Sequence, residues 1–184
     1  MEISLREFIL KGNFGPVQIG MTKNEIINTL GKPDSDTDYG ESGELYYGYY
    51  EFFYWTENQI LFAIQNDHLI ADCTNHNEMI LFENNNFKID VWFLEVGRDF
   101  TYKEIKDILN KEGLEYTEEI SYKNGPNILK FKSGVFFDFS SGYIGWGSDE
   151  ESSETWHQLE KTIENLDDYI LNGIGYCPSD TTGK

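Results

Sequence analysis

Cysteine is nearly absent from this chain. Cys73 and Cys177 are the only two in 184 residues, too few and too far apart for a disulfide framework. Histidine is equally scarce, with His68, His76 and His157 in three separate segments, so no convergent set for acid–base catalysis is visible. Cations are few as well: 14 Lys and Arg against 33 Asp and Glu give a formal net charge of −19. A field of that sign repels nucleic acid and anionic membrane surfaces and speeds encounter with basic partners. Long apolar runs are missing too. Glu2, Arg6, Glu7 and Lys11 interrupt the first candidate, so the sequence predicts neither a signal peptide nor a membrane span. A reducing cytoplasm is the expected compartment.

Aromatic residues are plentiful. Thirteen Phe, twelve Tyr and four Trp make up 16% of the chain, within a hydrophobic total of 39%. That is ample for a core, and it favours strands, whose pleated surface suits aromatic and β-branched side chains. The length fits one domain, or two small halves packed closely.

The most informative pattern is internal. Thr22, Glu25, Ile26 and Leu30 recur as Thr101, Glu104, Ile105 and Leu109, both spelling T-x-x-E-I-x-x-x-L, 79 residues apart. Each copy opens with a capping box, in which the Thr hydroxyl accepts from the third helical amide and the Glu reaches back to the cap amide. Each then sets apolar residues on one helical face and stops near a glycine, Gly31 or Gly113. Short apolar segments at 17–20 and 92–97 precede the two helices and read as strands. Strand-like runs follow them, at 44–47, 50–55, 59–65 and 68–74, and then at 114–122, 128–131, 135–139 and 143–146. Duplication accounts for the match. Residues 75–90 read as the connection, with room for a further strand at 79–82. From 153 to 171, Trp156, Leu159, Ile163, Leu166 and Ile170 are spaced three and four apart, which predicts an amphipathic helix ended by Gly173. The expected fold is therefore α+β: two tandem repeats, each a helix packed on an antiparallel β-meander, plus a C-terminal amphipathic helix. The boundaries fall at 1–90, 91–151 and 152–184, the halves packing as one globular unit.

The stretch Ile19-Gly20-Met21-Thr22, then Glu25-Ile26, Leu30-Gly31 and Pro33, followed by the Tyr-rich Leu45–Tyr50 and Phe52-Phe53-Tyr54, resembles the β-lactamase-inhibitor-protein-like group, which includes the SmpA/OmlA lipoproteins. The match covers roughly residues 17–65, with a weaker second copy at 96–113 where no proline follows Gly113. The resemblance implies a tandem helix-on-sheet fold whose known members bind proteins, and no catalytic residue. The chain departs from the secreted inhibitors in having no disulfide pair in each repeat, and from the lipoproteins in having no lipobox cysteine near the start.

Other candidate chemistries are weaker. Cys73-Thr74-Asn75-His76 has the C-x-x-H spacing of half a zinc site, but no second pair stands nearby. Asp34, Asp36 and Asp38 open like a calcium loop, yet Tyr39 and Leu45 occupy the positions that need Gly and Glu. The glycines of Gly142-x-x-Gly145-x-Gly147 and Gly173-x-Gly175 lack the Lys-Ser/Thr of a phosphate loop and read as turns. No enzyme activity, cofactor or metal is expected.

What remains is recognition of a macromolecule. Alternation along the Tyr-rich strands forces some rings away from the core. The expected partner surface is Tyr46, Tyr50 and Tyr54 with Glu41, Glu44 and Glu51, completed by Tyr143, Trp146, Asp149, Glu150 and Glu151. Aromatic anchors inside a charged rim suit a protein interface. The expected role is an acidic cytoplasmic inhibitor, a bacterial immunity protein that neutralises a basic, nuclease-type toxin. The alternative is a scaffold module or homodimer.

Overall fold

The structure, a computed structural model, describes residues 1–71, 75–121, 127–148 and 155–178. Its elements in chain order are β1 (Glu2–Ser4), α1 (Leu5–Lys11), α2 (Lys23–Leu30), β2 (Ser35–Asp38), β3 (Ser42–Tyr47), β4 (Tyr50–Trp55), β5 (Leu61–Asn66), α3 (His76–Ile80), β6 (Lys88–Asp90), α4 (Tyr102–Lys111), β7 (Tyr116–Ile120), β8 (Asn127–Phe131), β9 (Phe136–Ser140), β10 (Gly142–Ser148), β11 (Thr155–Thr162) and β12 (Ile170–Tyr176). The protein is α+β, built on an eight-stranded antiparallel sheet of order β2-β3-β4-β5-β12-β9-β8-β7. β10 and β11 pair as a separate antiparallel ribbon, and β1 lies parallel to β6. No helix among the described residues is long and apolar enough to cross a membrane.

Both capping boxes form. Thr22 accepts from the Glu25 amide at 3.3 Å while the Glu25 carboxylate accepts from the Thr22 amide at 2.8 Å. Thr101 and Glu104 do the same at 3.2 and 2.9 Å. The two helix starts are also moored alike. Lys23 N–H donates to Gln59 O and Leu61 N–H to Met21 O, and in the second half Tyr102 N–H donates to Tyr169 O and Leu171 N–H to Phe100 O. Each capped helix is thus tied to the last strand of its own half, β5 or β12, and these two strands meet at the sheet centre.

The buried faces of all four helices, including Phe8, Ile9, Ile26, Leu30, Ile80, Ile105 and Leu109, join one apolar cluster with Leu45, Tyr47, Tyr50, Phe52, Ile64, Leu129, Phe137 and Phe139 of the sheet. Burial of so much aromatic and aliphatic surface is the main source of stability. It also leaves the opposite sheet face without a helix among the described residues.

Several expectations need correction. The described part of 153–171 does not form a helix: β11 and a 3-10 turn at Leu166–Asp168 lie there, and β12 begins at Ile170. Local three-and-four spacing loses here to long-range pairing, because β12 fills the slot between β5 and β9. Gly173 and Gly175 consequently sit inside a strand and not in turns. A Cβ at Gly175 would meet the Phe136 ring at 2.8 Å, and one at Gly173 would meet Asp138 Oδ1 at 2.4 Å. The segments at 17–20 and 92–97 are turns, the latter with Trp92 at φ 58 and Gly97 at φ 74. Residues 79–82 do not form a strand either: Met79 and Ile80 end α3. The described part of 68–74 is not a strand, because Asn66 Oδ1 accepts from the His68 amide and turns the chain as β5 ends. Helix α1 was not anticipated, although Leu5, Phe8 and Ile9 give it a buried stripe and Gly12 at φ 74 a left-handed cap.

Candidate functional site

The hairpin joining β3 and β4 decides which residues face away from the helices. Its turn at Gly48-Tyr49 pairs Tyr47 with Tyr50, so Tyr46 pairs with Glu51 and Glu44 with Phe53. Tyr46 and Tyr50 therefore lie on opposite faces. Tyr50 and Tyr54, expected in the partner surface, are buried on the helix side at 1% exposure each. Tyr50 donates to Ile80 O at 2.8 Å, and Tyr54 donates to Asp36 Oδ1 at 2.8 Å. Of the expected set, Tyr46, Glu44 and Glu51 come together on the helix-free face, and Glu41 is exposed beside β3. Tyr143 and Trp146 lie on β10, their side chains outside the described residues. Asp149, Glu150 and Glu151 fall outside them altogether.

Two groups share this face. At one end Trp55 stacks on Phe62 with ring centroids 4.1 Å apart, and Phe53 leans on Phe62 at 6.2 Å. These three rings and Tyr46 are half-buried and belong to no part of the core cluster. Phe62 reaches this face because the β4–β5 register slips at Phe53/Tyr54. Phe53, Trp55 and Phe62 lie outside the expected partner surface; strand alternation counted from the hairpin turn identifies the first two, whereas the slip is not legible locally.

At the other end stand four acids and a histidine. Glu44 and Glu51 are buried at 3% and 6% exposure. Gln65 donates to Glu51 Oε2 at 2.7 Å, and Tyr39 donates to Glu44 Oε2 at 3.0 Å. Among the described residues Glu44 Oε1 has no hydrogen-bond partner. Burial, with the Asp67 and Glu44 carboxylates close by, pushes the Glu51 carboxyl up to about 7 in spite of the Gln65 amide. Just past β5, His68 Nε2 lies 3.2 Å from Asp67 Oδ1 and 4.0 Å from Glu51 Oε1, and its ring meets Tyr49 edge-on at 4.9 Å. Across β12, burial raises the Asp138 carboxyl to about 6, and Asp67 adds to the effect, although Asn172 Nδ2 donates to it at 2.8 Å. Tyr46 completes the group: burial, together with the neighbouring Glu44 and Tyr39, raises its hydroxyl far above the usual tyrosine range.

Compared with known proteins, the chain matches no family model, no curated protein and no solved structure.

The remaining sequence candidates have structural work. His76 is buried, its Nδ1 accepting from the Gly97 amide at 2.8 Å and its Nε2 lying 3.1 Å from Leu69 O. That pattern fixes the neutral tautomer with the proton on Nε2 and leaves no lone pair for a metal. Its spacing partner Cys73 lies outside the described residues. The three aspartates of the D-x-D-x-D run diverge: Asp34 accepts from Gly48 N–H, Asp36 from Lys23 and Tyr54, and Asp38 from Gly40 N–H.

Proposed function

We propose that this chain is a protein-binding inhibitor of the immunity type, which receives a basic protein on the helix-free face of its sheet. The observation that carries the reading is the placement of Tyr46, Phe53, Trp55 and Phe62 as half-buried rings on that face, beside Glu41 and the Glu44–Glu51 pair. Rings of this kind supply interface anchors at low entropic cost. A chain with net charge −19 selects a cationic partner through complementarity and fast encounter. The same charge opposes a second copy of the chain on that face, which makes the homodimer the weaker reading. The chain performs no catalysis in this reading and acts in the cytoplasm. Its two halves descend from a duplicated helix-on-sheet unit, a history supported by the matched moorings of Thr22 and Thr101.

The test is capture of the partner from the native cell on the full chain, eluted with a salt gradient. Support requires a basic protein that binds the purified chain one to one, loses affinity steeply with salt, and is inhibited by it. The Trp55→Ala/Phe62→Ala pair must weaken that binding by at least about 2 kcal/mol, the scale of interface hot spots. A basic partner bound equally well by this variant removes the face from the proposal. Recovery of the bait alone, or a concentration-dependent dimer in sedimentation, removes the inhibitor reading.

A further inference from the structure

We propose that Glu51, Asp67 and His68 bind one divalent transition cation of the zinc class, with the buried Glu44 carboxylate completing the site through a metal-bound water. This goes beyond the inhibitor reading and does not depend on it.

Geometry comes first. The β4–β5 register sets Glu51 opposite Gln65, so the residues that follow β5 turn back beside the Glu51 carboxylate. One donor atom from each of Glu51, Asp67 and His68 lies within 4.8 Å of the others. Nε2 of His68 is 3.2 Å from Asp67 Oδ1 and 4.0 Å from Glu51 Oε1. Donors bound to zinc at about 2.1 Å stand roughly 3–4 Å from one another, so an ion fits with little movement.

The second argument is charge. The Glu51 side chain is only 8% exposed, and its one ion-pair partner among the described residues is His68, at the 4.0 Å limit. Glu44 lies next to it, more than nine-tenths buried, with Oε1 unpartnered among the described residues. Two adjacent buried carboxylates without a cation are costly. A metal on the Glu51–Asp67–His68 side supplies the missing positive charge, and a water on that metal supplies the donor Glu44 Oε1 lacks. Asp67 and His68 are half-exposed at the rim, which leaves an entry path.

The surroundings already orient the donors. Gln65 holds Glu51 Oε2 and leaves Oε1 on the His68 side, while Tyr49 supports the imidazole ring. Such outer contacts fix ligand direction in metal sites. One imidazole with two carboxylates suits a borderline cation better than calcium or magnesium, which favour oxygen alone.

The experiment is calorimetric titration of the full-length, untagged, chelator-treated chain with Zn²⁺ in excess Mg²⁺. The expected result is a single saturable site that His68→Ala and Glu51→Gln each weaken at least about tenfold, the effect that even outer-shell changes produce. Asp107→Asn, an exposed acid elsewhere, leaves it unchanged. Circular dichroism of each variant establishes that the fold persists. No saturable binding, binding indifferent to both site variants, or full competition by Mg²⁺ overturns the proposal.

Discussion

Gly43 lies in β3 directly opposite Tyr54 of β4, on the helix side. A Cβ added there would stand 2.3 Å from both Cζ and the hydroxyl oxygen of Tyr54, and 2.7 Å from Cε2. Ordinary carbon contacts need about 3.5 Å or more, so Gly43→Ala must push the ring aside. The ring has little freedom to move. It is 1% exposed, its hydroxyl donates to Asp36 at 2.8 Å and accepts from Lys23 at 3.0 Å, and the Lys23 ammonium also stands 4.5 Å above the ring. Overpacking costs about 1–3 kcal/mol, and loosening two hydrogen bonds adds about 1 kcal/mol, so a loss of about 3 kcal/mol is expected. Urea unfolding should show a lower midpoint at unchanged slope. Gly113 provides the comparison: its φ is +68 with nothing within 4 Å of a Cβ, so Gly113→Ala costs about 1 kcal/mol through conformation alone. In a Tyr54→Leu background the Gly43→Ala penalty should shrink by at least half, the coupling expected of residues in contact. A Gly43→Ala loss under about 1 kcal/mol, or one undiminished in that background, would refute the packing argument.

Asp138 gives a pH signature. Its carboxyl titrates near 6 in the folded chain, above the ordinary aspartate value of about 3.9. The folded state therefore holds the proton more tightly, and the resulting stability is complete below about pH 4 and lost as pH rises through 6. Asp138→Asn keeps the neutral form, so its stability relative to the parent should improve by about 2 kcal/mol between pH 4 and pH 8, measured by urea unfolding at both; a pH-independent difference contradicts the assignment. Thr22→Ala and Thr101→Ala should each cost about 1 kcal/mol in thermal unfolding, since both hydroxyls accept from the third helical amide. A loss confined to one copy would show that the two helix starts are not equivalent.

Local chemistry carried the sequence reading where it succeeded. The capping boxes of Thr22 and Thr101, the Tyr-rich hairpin and the strands at 128–131 and 135–139 are encoded within a few residues, and all of them form. The failures are places where distant partners decide. The stretch 153–171 has helical spacing, yet its described part holds β11, a 3-10 turn and the start of β12, and β12 completes a sheet whose neighbours come from residues 61–66 and 136–140. Two members of the expected partner surface, Tyr50 and Tyr54, are buried through a change of phase. Tyr46, Tyr50 and Tyr54 look alike in sequence, and only the Tyr47–Tyr50 pairing across the turn separates the first from the other two. The Glu51–Asp67–His68 group was invisible because Asp67 and His68 read as a turn and the start of another strand, 16 residues and more from Glu51. Only the β4–β5 register joins them.

On the helix-free face Glu44, Glu51 and Asp67 come from the first half of the chain, and the assembled sheet adds Asp138 from the second. Gly173 and Gly175 of β12 lack side chains where β12 passes between β5 and β9, and Phe136 and Asp138 of the second half occupy the space a Cβ would need. Asp138 is thereby brought close enough to Asp67 of the first half for their charges to interact. A side chain at Gly173 would force the Asp138 carboxylate aside, and one at Gly175 would displace the Phe136 ring. β12, whose first residues fall in the span expected as the C-terminal amphipathic helix, is therefore the element that brings Asp138 to the other carboxylates. A net charge of −19 spread evenly would be only a solubility device. Four of the 33 acids, Glu44, Glu51, Asp67 and Asp138, gather at this seam on the face that also carries the Trp55–Phe62 stack, and on that juxtaposition the proposed cation site and the proposed partner contact both rest.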